Sequence, residues 1–338
     1  LPWSDRVNAV VECWLGGEAG GGAIVDVLFG DAEPGGRLAE SVPHHIAQVP
    51  ADQWFPGHPR QVQHREGLFV GYRFHDSAGV PAHFPFGHGL SYTSFEWTDV
   101  GVTGDGTDLA VHVTVTNTGD RSGSDVVQVY VRDVASSVVR PDKELKGFAK
   151  VHLDPGERET VTIPLDRRSF AVWDVDARGW LVEAGTFHPV VGRSSVDVVR
   201  TLEVDVRSRG QLGPDPRPVA RAGTDEEFAA MLRRPLPAPD APHPFHRNST
   251  LEDLEATLVG RALSEIVVRI GIRRAAQEFP DPDDATIHMV RSAIREGPMR
   301  GLAMMSGGAV RLPHVDGVVR VLNLGRRGAR GRGEVGSP

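Results

Sequence analysis

The sequence has little of what several classes of protein require. One cysteine, Cys13, occurs among 338 residues, which excludes a disulfide framework and a cysteine-based metal site. No apolar run approaches the roughly 20 residues that span a bilayer, and the first residues carry no signal-peptide pattern. The net charge is −8, which disfavours nonspecific attraction to nucleic acid or anionic membrane. We therefore expect neither partner and a cytoplasmic location.

The glycine cluster at residues 16–22 lacks the spacing of a nucleotide-binding loop. A G-x-G-x-x-G match from Gly20 requires glycine where Val25 stands, and no Gly-Lys-Ser or Gly-Lys-Thr follows. Histidine is frequent in the first 90 residues, but no H-E-x-x-H pair occurs. We therefore predict no cofactor and no metal. The cluster is interpreted as a tight turn from a strand to a helix, and Cys13 as a buried small apolar residue.

Residues 1–94 have the pattern of α/β structure. The valine-rich run at 7–15 predicts a buried parallel strand. Residues 23–29 predict a helix that ends at Gly30, and residues 67–74 have a strand-like composition.

Residues 95–208 have the alternation of an antiparallel β-sandwich. Apolar and polar residues alternate with period two at 109–116, 125–131, 160–165 and 201–206. Turn sequences separate these runs, as at 117–120 and 154–157. Short strands at this spacing predict a sandwich of roughly 100 residues.

The remaining chain changes composition twice. Residues 209–245 are rich in proline and predict an extended linker. Residues 246–325 predict a helical extension, which begins at a capping box formed by Ser249 and Glu252. Its apolar positions recur every three or four residues, at Leu251, Leu254, Leu258, Ala262, Ile266 and Ile270. A second helix is expected at 285–296, and residues 326–338 are predicted to be a disordered tail.

Several motifs together resemble the C-terminal part of glycoside hydrolase family 3, the family of β-glucosidase-like enzymes. Residues 10–17, 21–38, 66–74 and 84–95 resemble motifs of its second, α/β sandwich domain. Residues 123–131 and 141–148 are similar to a strand and a loop of the fibronectin type III-like domain that follows in many members. The resemblance implies an incomplete α/β sandwich domain at 1–94 and an immunoglobulin-like sandwich at 95–208.

The resemblance also implies what the chain would do. Family members are retaining exo-glycosidases of β-linked glucosides, and retention requires two carboxyl groups about 5 Å apart. In the family the nucleophile is an aspartate of an upstream barrel, and the acid/base lies before the motif matched at 1–3. No catalytic residue is therefore assigned here. The expected partner is a β-linked glucoside or oligosaccharide bound together with that barrel, and Glu66 is the candidate residue near the substrate.

Two further interpretations stay open. The chain is expected to be inactive alone, as part of a truncated or split β-glucosidase, and residues 1–94 are expected to be marginally stable or to pair with a missing half. The alternative is a carbohydrate-binding or interaction module without enzymatic activity. Trp173 and Trp180 would stack on sugars in that module if exposed, although we expect them to pack in the core. Glu66 has the simpler interpretation of an ion pair or backbone acceptor.

Overall fold

A computed structural model describes residues 3–55, 57, 62–213, 215, 221–237, 243–278 and 283–324. The chain forms two compact units. The first combines Leu1–Phe55 with Gln63–Leu236, and the second combines Pro56–Val62 with Pro237–Pro338. No helix in the described ranges is both long and apolar enough to cross a membrane. The predicted tail at 326–338 lies outside these ranges.

The first 94 residues carry helices joined by irregular chain. The α-helices are α1, Gly20–Phe29, and α2, Tyr72–Ala78. Helix α1 ends as predicted at Gly30, which has φ 82° and donates its N–H to the carbonyls of Asp26 and Val27. Left-handed backbone of this kind favours glycine because it has no Cβ. Short 3₁₀ helices lie at Ser4–Arg6, Ile46–Gln48 and Asp52–Trp54.

Two strand predictions in this segment are wrong. Residues 7–15 form no strand and are mostly exposed, because no described strand lies beside them to pair with their backbone. Residues 67–74 form a turn that leads into α2, and Gly71 takes φ 57° where the helix begins. Cys13 is half-buried rather than buried.

The sandwich is confirmed. Its ten strands are β1 Phe95–Asp105, β2 Asp108–Asn117, β3 Gly123–Asp133, β4 Glu144–Leu153, β5 Arg158–Leu165, β6 Val172–Asp174, β7 Gly179–Leu181, β8 Gly185–Gly192, β9 Val198–Thr201 and β10 Val204–Val206. Helix α3, Arg167–Phe170, follows β5. One sheet has the order β1-β2-β5, and the other has the order β10-β8-β3-β4 with β9 beside β8. The run predicted at 201–206 is thus divided between two strands.

Strand β3 is buried on both faces. Val127, Val129 and Val131 enter the sandwich core with residues of both sheets. Gln128 and Tyr130, which point to the opposite face, are also buried. A period-two pattern normally leaves one face to solvent, so a further layer covers this one.

The segment predicted as a linker contains helix α4, Asp225–Leu232. Thr224 caps it and forms a capping box with Glu227. This Thr-x-x-Glu pattern is visible in the sequence, but the surrounding prolines favoured extended chain.

The second unit is helical, as predicted. Its helices are α5 Leu251–Leu254, α6 Leu258–Glu278, α7 Asp284–Glu296, α8 Met299–Met305 and α9 Leu312–Leu324. The first cap is Thr250 with Asp253, one residue after the predicted Ser249. The predicted apolar stripe is divided: Leu251 and Leu254 are buried in the core, whereas Leu258, Ile266 and Ile270 are exposed. Helix α6 instead packs Leu263 and Val267 against that core.

Candidate functional site

The layer that covers β3 comes from the first 94 residues, and we call this contact the seam. Tyr130 of β3 is fully buried and clusters with Tyr72 of α2 and Val190 of β8. The Tyr72 ring stacks on Phe86 with 4.7 Å between ring centroids and meets Tyr130 edge-on at 5.7 Å. The Tyr72 hydroxyl accepts a hydrogen bond from the N–H of Leu145 at 2.8 Å. Burial raises the pKa of Tyr72, which keeps this phenol neutral.

Buried polar groups of the seam are paired across it. Gln128 donates to the carbonyl of Gly87 at 3.1 Å and accepts from the Tyr130 hydroxyl at 2.6 Å. Arg37 forms an ion pair with Asp125 at 2.7 Å. The second oxygen of Asp125 accepts from the indole N–H of Trp97 at 2.8 Å. Satisfied buried groups of this kind specify a single arrangement of the two layers.

A buried ion pair fixes α2 to the sandwich. Asp76 lies 2.8 Å from the ammonium of Lys143, and both side chains are less than a tenth exposed. Burial raises the pKa of Asp76, and the hydrogen bond from Lys143 opposes that rise. Residues from five of the six motif groups of the sequence analysis thus meet at the seam, and the exposed group at 10–17 does not take part. Their observed role is to join the first segment to the sandwich.

Glu66, the candidate residue near a substrate, lies in the turn before α2 and is 7% exposed. Its Oε1 is 3.2 Å from Nδ1 of His64, whose side chain is exposed. Its backbone carbonyl accepts from the N–H of Phe69 at 2.9 Å. The other carboxylate oxygen, Oε2, is buried and has no hydrogen-bond partner among the described residues. Proximity to substrate stays a prediction.

Arg65, beside Glu66, is held by helix α4. Its guanidinium lies 3.8 Å from the ring centroid of Trp54 and 5.0 Å from that of Phe228, and it forms an ion pair with Asp225. Its carbonyl accepts from the N–H of Ala222 at 3.0 Å. The α4 segment therefore fixes the turn that carries Glu66. The sequence analysis missed this contact because about 160 residues separate the partners.

Two close pairs of carboxylates need to be weighed as catalysts. Burial raises the pKa of Asp133, and the neighbouring Glu183 adds to that rise. Both carboxylates are already bound, since Asp133 forms an ion pair with Arg140 at 2.9 Å and Glu183 accepts from the hydroxyl of Ser136 at 3.0 Å. Asp76 and Asp142 both approach the Lys143 ammonium, at 2.8 and 3.5 Å. The ammonium between them occupies the place that a substrate would need.

No group of three or more metal-binding side chains was found among the described residues. Their histidines serve local contacts instead. His75 contacts the carbonyl of Val80 at 2.9 Å, and His83 contacts the hydroxyl of Ser4 at 2.9 Å. Burial lowers the pKa of His88.

Comparison with known proteins matches the two layers of the seam to two domain families. Residues 1–92 match the glycosyl hydrolase family 3 C-terminal domain, and residues 125–195 match a fibronectin type III-like domain. This part of the chain belongs to glycoside hydrolase family 3. The fold class predicted from sequence, a mixed α/β portion, a β-sandwich and C-terminal helices, is confirmed.

The curated relatives include glycosidases that are named for different substrates. The chain is 50% identical over 212 residues to thermostable β-glucosidase B of Acetivibrio thermocellus. The aligned region covers 62% of this chain and 28% of that protein. It is 44% identical over 214 residues to an exo-α-(1→6)-L-arabinopyranosidase of Bifidobacterium breve, covering 63% of this chain and 28% of the relative. The chain thus spans little more than a quarter of these relatives.

Solved structures support the same assignment. The family 3 β-glucosidase of Bifidobacterium adolescentis matches with a TM-score of 0.60 and 40% identity, over 68% of this chain and 34% of that one. The β-glucosidase of Kluyveromyces marxianus matches with a TM-score of 0.59 and 42% identity, over 61% and 25% of the two chains.

Proposed function

We propose that residues 1–208 act as the non-barrel part of a retaining β-glucosidase and that this chain alone does not hydrolyse glycosides. The identity of 50% to a β-glucosidase over 212 residues carries the proposal. In this proposal both catalytic carboxylates belong to polypeptide outside the 338 residues. The first segment supplies a surface beside the catalytic barrel, and the sandwich holds that segment in place.

The contacts of the described residues support this division of roles. Most of the family motifs meet at a buried seam, where two carboxylates face partners. Arg37 and Trp97 bind the two oxygens of Asp125, so Asp125 has no free oxygen edge for attack on a sugar carbon. Asp76 lies against the ammonium of Lys143, which neutralises its charge.

Glu66 is proposed to lie near the substrate in the assembled enzyme. Helix α4 and the buried Arg65 keep its turn rigid, as a residue that borders a substrate requires. Replacement of Glu66 by Gln should then change KM or kcat of the assembled enzyme and leave the thermal stability of the isolated chain nearly unchanged. Equal kinetics in variant and parent would remove Glu66 from the site.

An assay of the purified chain tests the proposed inactivity. With an aryl β-D-glucoside or an aryl α-L-arabinopyranoside, we expect the release of phenol to equal that of a heat-treated sample. Turnover clearly above this control would show that the chain holds its own catalytic carboxylates.

Complementation tests the proposed role of the chain as the non-barrel part of a β-glucosidase. The portion of thermostable β-glucosidase B that precedes its match to this chain is mixed with the chain, and hydrolysis is measured. We expect turnover of the mixture but not of either component alone. The aryl sugar that is hydrolysed faster identifies the substrate class. A mixture as inactive as its components, although the two bind each other, would contradict the proposal.

A further inference from the structure

Two tryptophans lie together on the surface of the sandwich. Trp173 of β6 and Trp180 of β7 are register partners in a two-stranded hairpin. Their ring centroids are 5.5 Å apart at an interplanar angle of 72°. Trp173 is 51% exposed and Trp180 is 37% exposed, so the expectation that both pack in the core is wrong. Exposed indoles that adjoin each other indicate a binding surface more often than an isolated apolar residue does.

The hairpin that carries the indoles is held by hydrogen bonds to one carboxylate. The carboxylate of Asp174 accepts from the N–H of Ala177 at 2.6 Å and from the N–H of Gly213 at 3.0 Å. The hydrogen bond from Ala177 is the main reason that the pKa of Asp174 is lowered, so this carboxylate stays ionised and keeps its donors. A surface fixed before binding loses little conformational entropy when a ligand arrives.

A cation lies against the pair. The guanidinium carbon of Arg168 is 3.6 Å from the ring centroid of Trp180 and therefore covers one face of that indole. No carboxylate lies within ion-pair distance of Arg168 in the described part of the chain. Its N–H groups are thus available to hydroxyl acceptors, while Trp173 offers the larger free indole surface.

The area of the pair fits a small ligand. A tryptophan has about 150–250 Å² of surface, so the two exposed portions amount to about 200 Å². A specific protein interface buries about 800 Å² on each partner. An apolar plane beside a hydrogen-bond donor complements a pyranose, which has an apolar C–H face and hydroxyl groups at its edge.

We propose that Trp173, Trp180 and Arg168 form a carbohydrate-binding platform on the sandwich, specific for β-linked gluco-oligosaccharides. Trp173 stacks on the C–H face of a pyranose, Trp180 holds Trp173 at its angle, and Arg168 donates hydrogen bonds to the hydroxyls. The choice of β-linked glucose units rests on the proposed function. The existence of a sugar-binding surface rests on the geometry of the hairpin.

Calorimetric titration of the full chain with cellohexaose tests the platform. We expect measurable binding by the parent and at least a tenfold loss of affinity in Trp173→Ala, which corresponds to about 1.4 kcal/mol. Arg168→Gln should weaken binding severalfold, because it removes charged donors but keeps a polar side chain. The matched control is Phe148→Ala, which removes an aromatic ring that is 68% exposed on β4 and should leave the affinity unchanged.

The outcomes separate this proposal from the proposed function, since binding is measured without hydrolysis. Failed complementation with intact cellohexaose binding would overturn the proposed function alone. Absence of binding by the parent, or equal affinity in Trp173→Ala, would overturn the platform. A parent that sediments as a dimer, with a monomeric Trp173→Ala, would also overturn it by assigning the indoles to a protein contact. If Trp173→Ala does not fold, Trp173→Gln and Arg168→Gln provide the same comparison, because each removes the proposed contact and keeps a polar side chain of some length.

Discussion

At the scale of single residues, Gly87 shows how the seam depends on one backbone conformation. Its φ is +80°, and a Cβ there would lie 2.1 Å from Oε1 of Gln128. We expect Gly87→Ala to lower the free energy of unfolding by about 2–4 kcal/mol, from left-handed strain and overpacking together. Thermal unfolding measures this loss. The control is Gly36→Ala, whose Cβ would meet no atom within 4 Å; an equal loss in both variants would contradict the explanation.

The Asp76–Lys143 pair allows a second prediction at this scale. Lys143→Met leaves the buried carboxylate of Asp76 without its counter-ion and should cost about 3–5 kcal/mol of unfolding free energy. Asp76→Leu should cost less, because Asp142 stays 3.5 Å from the Lys143 ammonium. The double variant should recover most of the loss in Lys143→Met, because an apolar pair replaces an ion pair of similar volume. A double-mutant cycle with denaturant measures the coupling. Additive losses would show that the two side chains act independently.

What the sequence could predict for a residue depends on the distance to its partners along the chain. The stop of α1 at Gly30 was predictable because its acceptors, Asp26 and Val27, are neighbours. The contacts of Gly87 with Gln128 and of Arg65 with Asp225 were not, since 41 and 160 residues separate the partners. The exposure of Trp173 was also not predictable, because tryptophan is on average a largely buried residue.

At the scale of elements, helix α6 explains why the apolar stripe was assigned to the wrong face. Its sequence is apolar on more than one side, so period alone could not decide which side is buried. The structure packs the partly buried Leu263 and Val267 against the core and leaves Ile266 and Ile270 exposed. The position of the first cap was similarly ambiguous. Ser249 and Thr250 both precede an acidic residue by three positions, and Thr250 is the one that caps.

Helix α7 is tied to the chain before α6 by an ion pair that predicts a pH dependence. Glu255 accepts from Arg295 at 2.7 and 3.1 Å, and this hydrogen bonding holds its pKa below the ordinary 4.5. Because the unfolded state binds the proton more readily, stability is full above pH 4.5 and falls as the pH drops through the folded pKa. The loss should be about 0.5–1 kcal/mol, since both side chains are partly exposed.

The variant Glu255→Gln isolates this contribution. Unfolding of the second unit, followed by circular dichroism from pH 6 down through the acid range, should lose less stability in the variant than in the parent. Glu296→Gln is the control, because Glu296 is exposed at the end of α7 and its replacement leaves the Glu255–Arg295 pair intact. A parent and a Glu255→Gln variant with parallel pH profiles would show that the pair does not contribute.

At the scale of the whole molecule, the first 94 residues divide into two parts, which differ in how many contacts hold them to the sandwich. Residues 33–55 and 63–92 are fixed to the sandwich by the seam, through Arg37, Tyr72 and Asp76. Residues 7–30 expose large apolar side chains, including Leu15 at 101% and Phe29 at 80%. The prediction that residues 1–94 are marginally stable therefore applies to the earlier part. Sequence composition could not separate the two, because both have the same α/β pattern and only the sandwich distinguishes them.

Limited proteolysis tests whether the two parts differ in local stability. Chymotrypsin cleaves after large apolar residues where the backbone unfolds locally. We therefore expect the first cuts in the isolated chain to fall within 7–30. The peptide that spans 63–92 should survive together with the sandwich. Phe148 provides an internal control, since it is 68% exposed but lies in the paired strand β4 and should resist cleavage.

Addition of the preceding portion of thermostable β-glucosidase B should protect 7–30, because that portion is proposed to cover the apolar side chains of this segment. Resistance of 7–30 in the isolated chain would instead mean that this segment is stable without a partner.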